Sequence, residues 1–190
     1  METVTKGKFL TDKARFLKLI RNGAVFIHPT DTIYGIGCDA INEKAVQQIR
    51  EAKQRDSKPF SVIAPSKSWI SDNCEVSSEG RKWLAKIPGP YTLVLKLKKK
   101  SAVAAAVIAG VDTIGVRMPR HWFTDMVAEL GFPVVSTSAN LTGQPYMTSI
   151  DNLNENVKKK VDFMIYEGKK EGKPSTIVKL SGKEVEVVER

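Results

Sequence analysis

The chain has 190 residues, 42% hydrophobic and 27% charged, with a formal net charge of +9 from 30 Lys and Arg against 21 Asp and Glu. That length buries a substantial core without disulfide or metal support, so a single domain over residues 1–190 is expected. The charge surplus favours anionic partners: nucleotides, phosphates, nucleic acid or acidic membrane. The longest apolar run, SAVAAAVIAGV, is too short to span a bilayer, and the N-terminus has no signal-peptide core. Cys38 and Cys74 show neither metal-ligand spacing nor a disulfide framework. Reduced thiols and a cytoplasmic location are therefore expected.

In chain order, residues 11–22 place Phe16, Leu17, Leu19 and Ile20 on one helical face, with Gly23 as the stop. AVFIHP follows as a buried strand ended by proline. Residues 42–53 predict a helix opened by Asn42 as N-cap, and FSVIAP a strand. A helix over 77–86 precedes the PGP turn, and YTLVLKL is a strand. TIGVRMP at 113–119 is a short strand, 121–130 a helix closed by Gly131, and PVVSTS a further strand. Residues 149–160 carry a weak helical pattern, and VDFMIYEG, STIVKL and EVEVVER supply three late strands. This alternation predicts an α/β fold, a twisted mixed parallel and antiparallel sheet flanked by helices. The lysine-rich stretches at 96–100 and 158–160 read as solvated faces rather than binding stripes.

Three strand ends carry unusual polar clusters: HPTDTIYGIG at 28–37, EAKQRDSKP at 51–59, and STSAN at 136–140. In open α/β sheets ligands sit beyond the carboxyl ends of strands, so convergence of the three would make one pocket of hydroxyls and cations. Each cluster also has a plain structural reading. Asp31 fits a turn that bonds its own backbone, Lys53 and Arg55 complement a helix dipole, and Ser136, Thr137 and Ser138 fit as strand hydroxyls. His28, beside Pro29, and His121, beside Trp122, suit packing or capping better than catalysis. There is no P-loop, no Gly-x-Ser-x-Gly elbow and no His-Cys-Glu metal cluster. A basic, hydroxyl-rich pocket without an obvious base suits phosphoryl or nucleotidyl transfer, which rests on electrostatics and positioning.

Taken together, PTDTIYGIG, KQR, KPFSVIA, PGPYTLVL, TIGVRMPRH, STSANLTGQP and PSTIV resemble, in order and over nearly the whole chain, the YrdC/Sua5/TsaC family of threonylcarbamoyl-AMP synthases. The likeness is to its short, single-domain form. It implies a YrdC-like fold with a basic central cavity. It also implies formation of threonylcarbamoyl-AMP and pyrophosphate from L-threonine, bicarbonate and ATP with Mg2+, for the t6A modification at position 37 of tRNA.

By motif position, the resemblance assigns Thr32, Arg117 and Ser136 to threonine. It assigns Lys53, Arg55, Lys58, Thr113, Ser138, Asn140 and Arg190 to ATP, with Lys53 and Arg55 as the catalytic pair and no protein-held metal. Arg117 suits a carboxylate because its planar fork matches two oxygens. Lys53→Ala or Arg55→Ala is expected to cut turnover while leaving the fold intact. An extended STS would put Ser136 and Ser138 on one face. Two departures stand out: Sua5 members often carry a His where this chain has SVIA, and Tyr146 stands where small hydroxyl residues are common. Hand-off of product to the tRNA-modifying transferase and direct contact with tRNA or double-stranded RNA are further expectations. The alternative is an RNA-binding module that uses the same basic concavity without catalysis.

Overall fold

The computed structural model describes residues 1–55, 57–182 and 184–189. Strand β1 (Glu2–Val4) is followed by helices α1 (Lys6–Thr11) and α2 (Lys13–Arg21), then by β2 (Phe26–His28) and β3 (Gly35–Gly37). Next come α3 (Glu43–Lys53), β4 (Ser61–Ile63), α4 (Lys67–Asn73), α5 (Ser78–Ala85) and β5 (Tyr91–Lys96). The second half holds α6 (Ala105–Ile108), β6 (Thr113–Arg117), α7 (Phe123–Leu130), β7 (Val134–Val135) and β8 (Thr137–Ser138). Helix α8 (Glu155–Lys159) and strands β9 (Phe163–Ile165), β10 (Thr176–Lys179) and β11 (Glu186–Val188) complete it.

Local chemistry explains the element ends. The Asn42 side chain accepts from the Ala45 amide at 3.1 Å and opens α3 as an N-cap. Gly131, at φ +80, closes α7 in the left-handed region that glycine enters without a Cβ penalty. Helix α2 buries Phe16, Leu17 and Ile20, with Leu19 partly buried beside them. The weak pattern at 149–160 resolves into a 3-10 turn at Ile150–Asn152 and the short α8.

Among the described residues the strands form two mixed sheets rather than one. The first runs β1-β9-β2-β3-β8 and the second β11-β10-β5-β6-β4-β7. The division passes through PVVSTS. Val135 pairs with Val62 of β4 in the second sheet, and Thr137 pairs with Ile36 of β3 in the first. Ser136 stands between them, its amide donating to the Ser61 carbonyl at 2.8 Å. The expected continuous strand is therefore two short ones, and Ser136 lies where the chain passes from sheet to sheet.

Two apolar clusters hold the molecule. The larger takes Ile27 and Ile36 from the first sheet and Tyr34 from the loop before β3, together with Val62, Leu93 and Val116 from the second. The smaller is an aromatic group on the other side of the first sheet, where Phe26 stacks on Phe163 at 5.2 Å and Phe9 on Phe16 at 5.0 Å. Both cysteines are buried free thiols. Among the described residues no helix is long and apolar enough to cross a membrane.

Candidate active site

The loop after β2 is shaped by its threonines. Thr30 Oγ1 donates to the Ile33 carbonyl at 2.7 Å and accepts from the Thr32 amide at 3.1 Å, which closes the turn. Asp31 is thus released from the self-bonded turn that its sequence also allowed. It accepts from Arg117 Nη2 at 2.9 Å and from the Arg120 amide at 2.8 Å. Arg117, at the end of β6, also donates to Thr32 Oγ1 at 3.2 Å. The Asp31 and Arg117 side chains are 12% and 7% exposed, so the pair fixes a guanidinium at the edge of the interior.

Past α3, Gln54 takes a left-handed conformation, and the following segment wraps two guanidinium groups. Buried Arg50 donates to the carbonyls of Arg55 at 2.9 Å, Lys58 at 3.2 Å and Ala106 at 2.8 Å. Arg55 donates to the carbonyls of Lys58 at 3.1 Å and Pro59 at 2.6 Å, and both guanidiniums lie over the Phe60 ring. Lys53 turns inward and is 1% exposed. Its ammonium donates to the carbonyls of Ser138 at 2.5 Å and Asn140 at 2.7 Å and to Asn140 Oδ1 at 3.1 Å. Burial, with the Arg55 charge added, pulls Lys53 down to about 7. The three oxygen acceptors oppose this, because together they need the three hydrogens of an ammonium.

These pieces meet in a cavity of about 150 Å³ beside the Ser136 crossover. Its wall includes Thr30, Tyr34, Arg55, Ser61, Thr92, Arg117, Ser136, Ser138, Tyr146 and Ser175. Hydroxyl groups and two guanidiniums dominate, and no carboxylate faces the space among the described residues. Such a wall matches an anionic ligand with several acceptor oxygens.

The three sequence clusters do converge here, and Arg55, Arg117, Ser136 and Ser138 line the space. Thr32 lies just behind, on Arg117. Lys53 and Asn140 form a bonded layer beneath Ser138 rather than part of the wall. The Lys58 side chain is exposed; the residue contributes its carbonyl to the loop around Arg50 and Arg55. Thr113 pairs with Lys96 at the opposite end of β6 from Arg117, roughly 13 Å away at the usual strand rise, and does not line the cavity. Arg190 lies outside the described residues. The expected basic cavity is a hydroxyl-rich cleft with two guanidiniums, one of them paired with Asp31.

Sequence reasoning passed over Thr30, Ser61, Thr92 and Ser175 as site residues. Thr30 and Ser175 sit inside the quoted PTDTIYGIG and PSTIV stretches, so a signal existed. Thr92, bonded to Ser175 at 2.7 Å, lies in the quoted PGPYTLVL, but there it reads as one hydroxyl in an ordinary strand. Both histidines are packed. His28 stacks on Phe123 at 4.8 Å, and His121 accepts from the Phe123 amide near the start of α7. Among the described residues no group of three His, Cys, Asp or Glu could hold a metal ion.

A two-sheet α/β fold with a hydroxyl- and guanidinium-lined cleft between its sheets defines a binding protein for small anionic ligands. The family model described as Telomere recombination, covering Sua5, YciO and YrdC, matches residues 18–190. A Methanocaldococcus jannaschii relative is 40% identical over 167 residues, 86% of this chain and 77% of its own. A Vibrio campbellii relative named threonylcarbamoyl-AMP synthase is 34% identical over 169 residues, 85% of this chain and 90% of its own. Among solved structures, P. abyssi Sua5 complexed with L-threonine superposes with a TM-score of 0.83 at 31% identity, covering 98% of this chain and 56% of that one. E. coli YciO superposes with a TM-score of 0.82 at 27% identity, covering 100% and 93%. The chain belongs to the Sua5/YciO/YrdC family, and it spans only about half the length of the P. abyssi member.

Proposed function

We propose that this protein is an L-threonylcarbamoyladenylate synthase, a nucleotidyltransferase that joins L-threonine, bicarbonate and ATP. The observation that carries the reading is the grouping of Arg55 and Arg117 with the hydroxyls of Thr30, Ser136, Ser138 and Ser175 around one cavity. It is supported by family membership and by the threonine bound to a related Sua5.

Arg117, held by Asp31, pairs with the threonine carboxylate, while Thr32 and Ser136 complete that half. The threonine amine attacks bicarbonate, water leaves, and an N-carboxylate forms. One oxygen of that carboxylate attacks the α-phosphorus of ATP, the α–β bridging bond breaks, and pyrophosphate departs with the electron pair. No protein nucleophile enters. Arg55 and Ser138 face the nucleotide, where fixed donors offset charge growing on phosphate oxygens. Lys53 and Asn140 act by holding the Ser138 segment in place. Mg2+ arrives as part of the MgATP substrate, carried by phosphate oxygens and water, as suits an ion that dehydrates reluctantly.

The deciding experiment incubates purified protein with threonine, bicarbonate and MgATP and detects threonylcarbamoyl-AMP by mass. Pyrophosphate release should require both threonine and bicarbonate. Release that ignores threonine would sink the assignment. A cytoplasmic location and delivery of the product to a tRNA-modifying transferase follow from the same reading.

A further inference from the structure

Residues 167–175 cross from β9 in the first sheet to β10 in the second without forming a helix or strand. The crossing lies directly over the loop that carries Thr30 to Thr32. A Cβ on Gly172 would collide with the Thr32 backbone carbonyl, so the two backbones touch there. Lys170 Nζ donates to the Thr30 carbonyl at 3.1 Å, and the Lys170 amide donates to the Thr148 carbonyl at 2.8 Å. Tyr34 donates its hydroxyl to the Gly168 carbonyl at 2.7 Å, and Tyr146 donates its own to the Gly172 carbonyl at 3.3 Å. At its far end the crossing supplies Pro174 and Ser175 to the cavity wall.

The cleft's volume, about 150 Å³, suits an amino acid. It is well below the roughly 300–1,000 Å³ of pockets that take larger ligands. If the site holds a nucleotide as well, as the reading above requires, one wall has to move. Gly35, Ser61, Thr92, Arg117, Thr137 and Ser138 of the wall are held in strands. The Arg55 and Lys58 backbone is tied from beneath by buried Arg50. The crossing lies in no helix or strand and is fastened by the bonds just named, by the Glu167 amide on Tyr34 at 2.9 Å, and at its end by Ser175 on Thr92 at 2.7 Å.

We propose that residues 168–175 are a strap that opens to admit the nucleotide and closes over both substrates, and that Tyr146 is a positioning residue which sets its closed state through Gly172. Closure excludes water from an N-carboxylate and a mixed anhydride, both of which it would destroy. Tyr146, itself part of the cavity wall, bonds the strap from the opposite side.

The test is limited trypsin digestion of the full chain, followed by mass, at the bonds after Lys169 and Lys170. Without ligand, Gly172→Ala is expected to speed cleavage there about tenfold and Tyr146→Phe about threefold, because cutting tracks the open population. Cutting elsewhere should not rise. Threonine with a non-hydrolysable ATP analogue should slow strap cleavage in the unaltered protein. In turnover, Tyr146→Phe should raise KM for threonine and ATP more than it lowers kcat, and Tyr146→Trp, which cannot reach Gly172 in the same way, should not restore it. Equal strap cleavage in all three proteins overturns the proposal, and so does ligand protection confined to the bonds after Lys53 and Arg55. Should Gly172→Ala fail to fold, Tyr146→Phe decides alone. The ligand-free rates need no substrate, so failure to make threonylcarbamoyl-AMP would overturn the synthase reading separately.

Discussion

Lys53 shows how a residue's place in a motif and its place in the molecule can diverge. In KQR it is one of two cations near a helix end, and its removal was expected to spare the fold. In the structure its ammonium binds three oxygens of the Ser138 to Asn140 segment out of solvent. Removing it takes the ammonium donor from the Asn140 carbonyl and leaves the Ser138 carbonyl and Asn140 Oδ1 with one donor each, so Lys53→Ala should cost about 1–3 kcal/mol in urea unfolding as well as activity. Arg55→Ala, at the cavity wall, should lose activity with a smaller stability change, and equal losses for the two would refute the distinction. Asp31 supports Arg117 in a similar way. Asp31→Ala should cost about 2–3 kcal/mol and raise KM for threonine in initial-rate assays, because a buried guanidinium loses its carboxylate. His28 makes a pH prediction. Burial lowers it from 6.5 to about 3, and its Nε2 has no hydrogen-bond partner among the described residues. The unfolded chain then binds the extra proton between these values, so stability falls as pH drops below 6.5, by about 1.4 kcal/mol per unit. His28→Phe should flatten that acid limb in urea titrations at several pH values, whatever its stability at pH 7.

At the scale of elements, the short tight strand β3 limits what its glycines can become. A Cβ on Gly37 would stand 2.8 Å from the Val135 carbonyl and 3.1 Å from the rings of His28 and Phe26. Gly37→Ala should therefore cost about 1–3 kcal/mol in chemical unfolding, since backbone and packed rings cannot both give way. The same element shows where sequence reasoning ends. GIG has no strand propensity to speak of, and it is a strand because β2 and β8 flank it. Helix α3 was legible because a cap, an apolar face and a basic last turn all agree. Helices α1, α4 and α6 were not, being too short for periodicity to register. PVVSTS read as one strand because nothing local marks Ser136 as a crossover; only partners on two sheets do. The three polar clusters were legible as a site because hydroxyls and cations gather at element ends. The placement of Thr113 was not, because motif order carries no information about distance along a strand.

At the scale of the molecule, the question is whether two sheets make one folding unit. The larger core answers it, since Ile27 and Ile36 of one sheet pack in the same cluster as Val62, Leu93 and Val116 of the other. Helix α3 adds Val46 and Ile49 to that cluster, so neither sheet can expose its inner face alone. The aromatic cluster on the far side of the first sheet is joined to it through β2, whose Phe26 and Ile27 face opposite sides. Trp69 and Trp83 pack against the larger cluster and Trp122 against the aromatic one. Their fluorescence therefore reports the two regions separately. Variants that keep Trp122 alone, or keep Trp69 and Trp83 without it, should each unfold in urea in one transition at a midpoint shared with circular dichroism. The cavity lies between the sheets, so a single cooperative unit is what holds Arg117 and Ser138, which come from different sheets, at a fixed separation. Separate midpoints for the two tryptophan sets would show that the aromatic side melts independently, and the strap that begins at β9 would then be released with it.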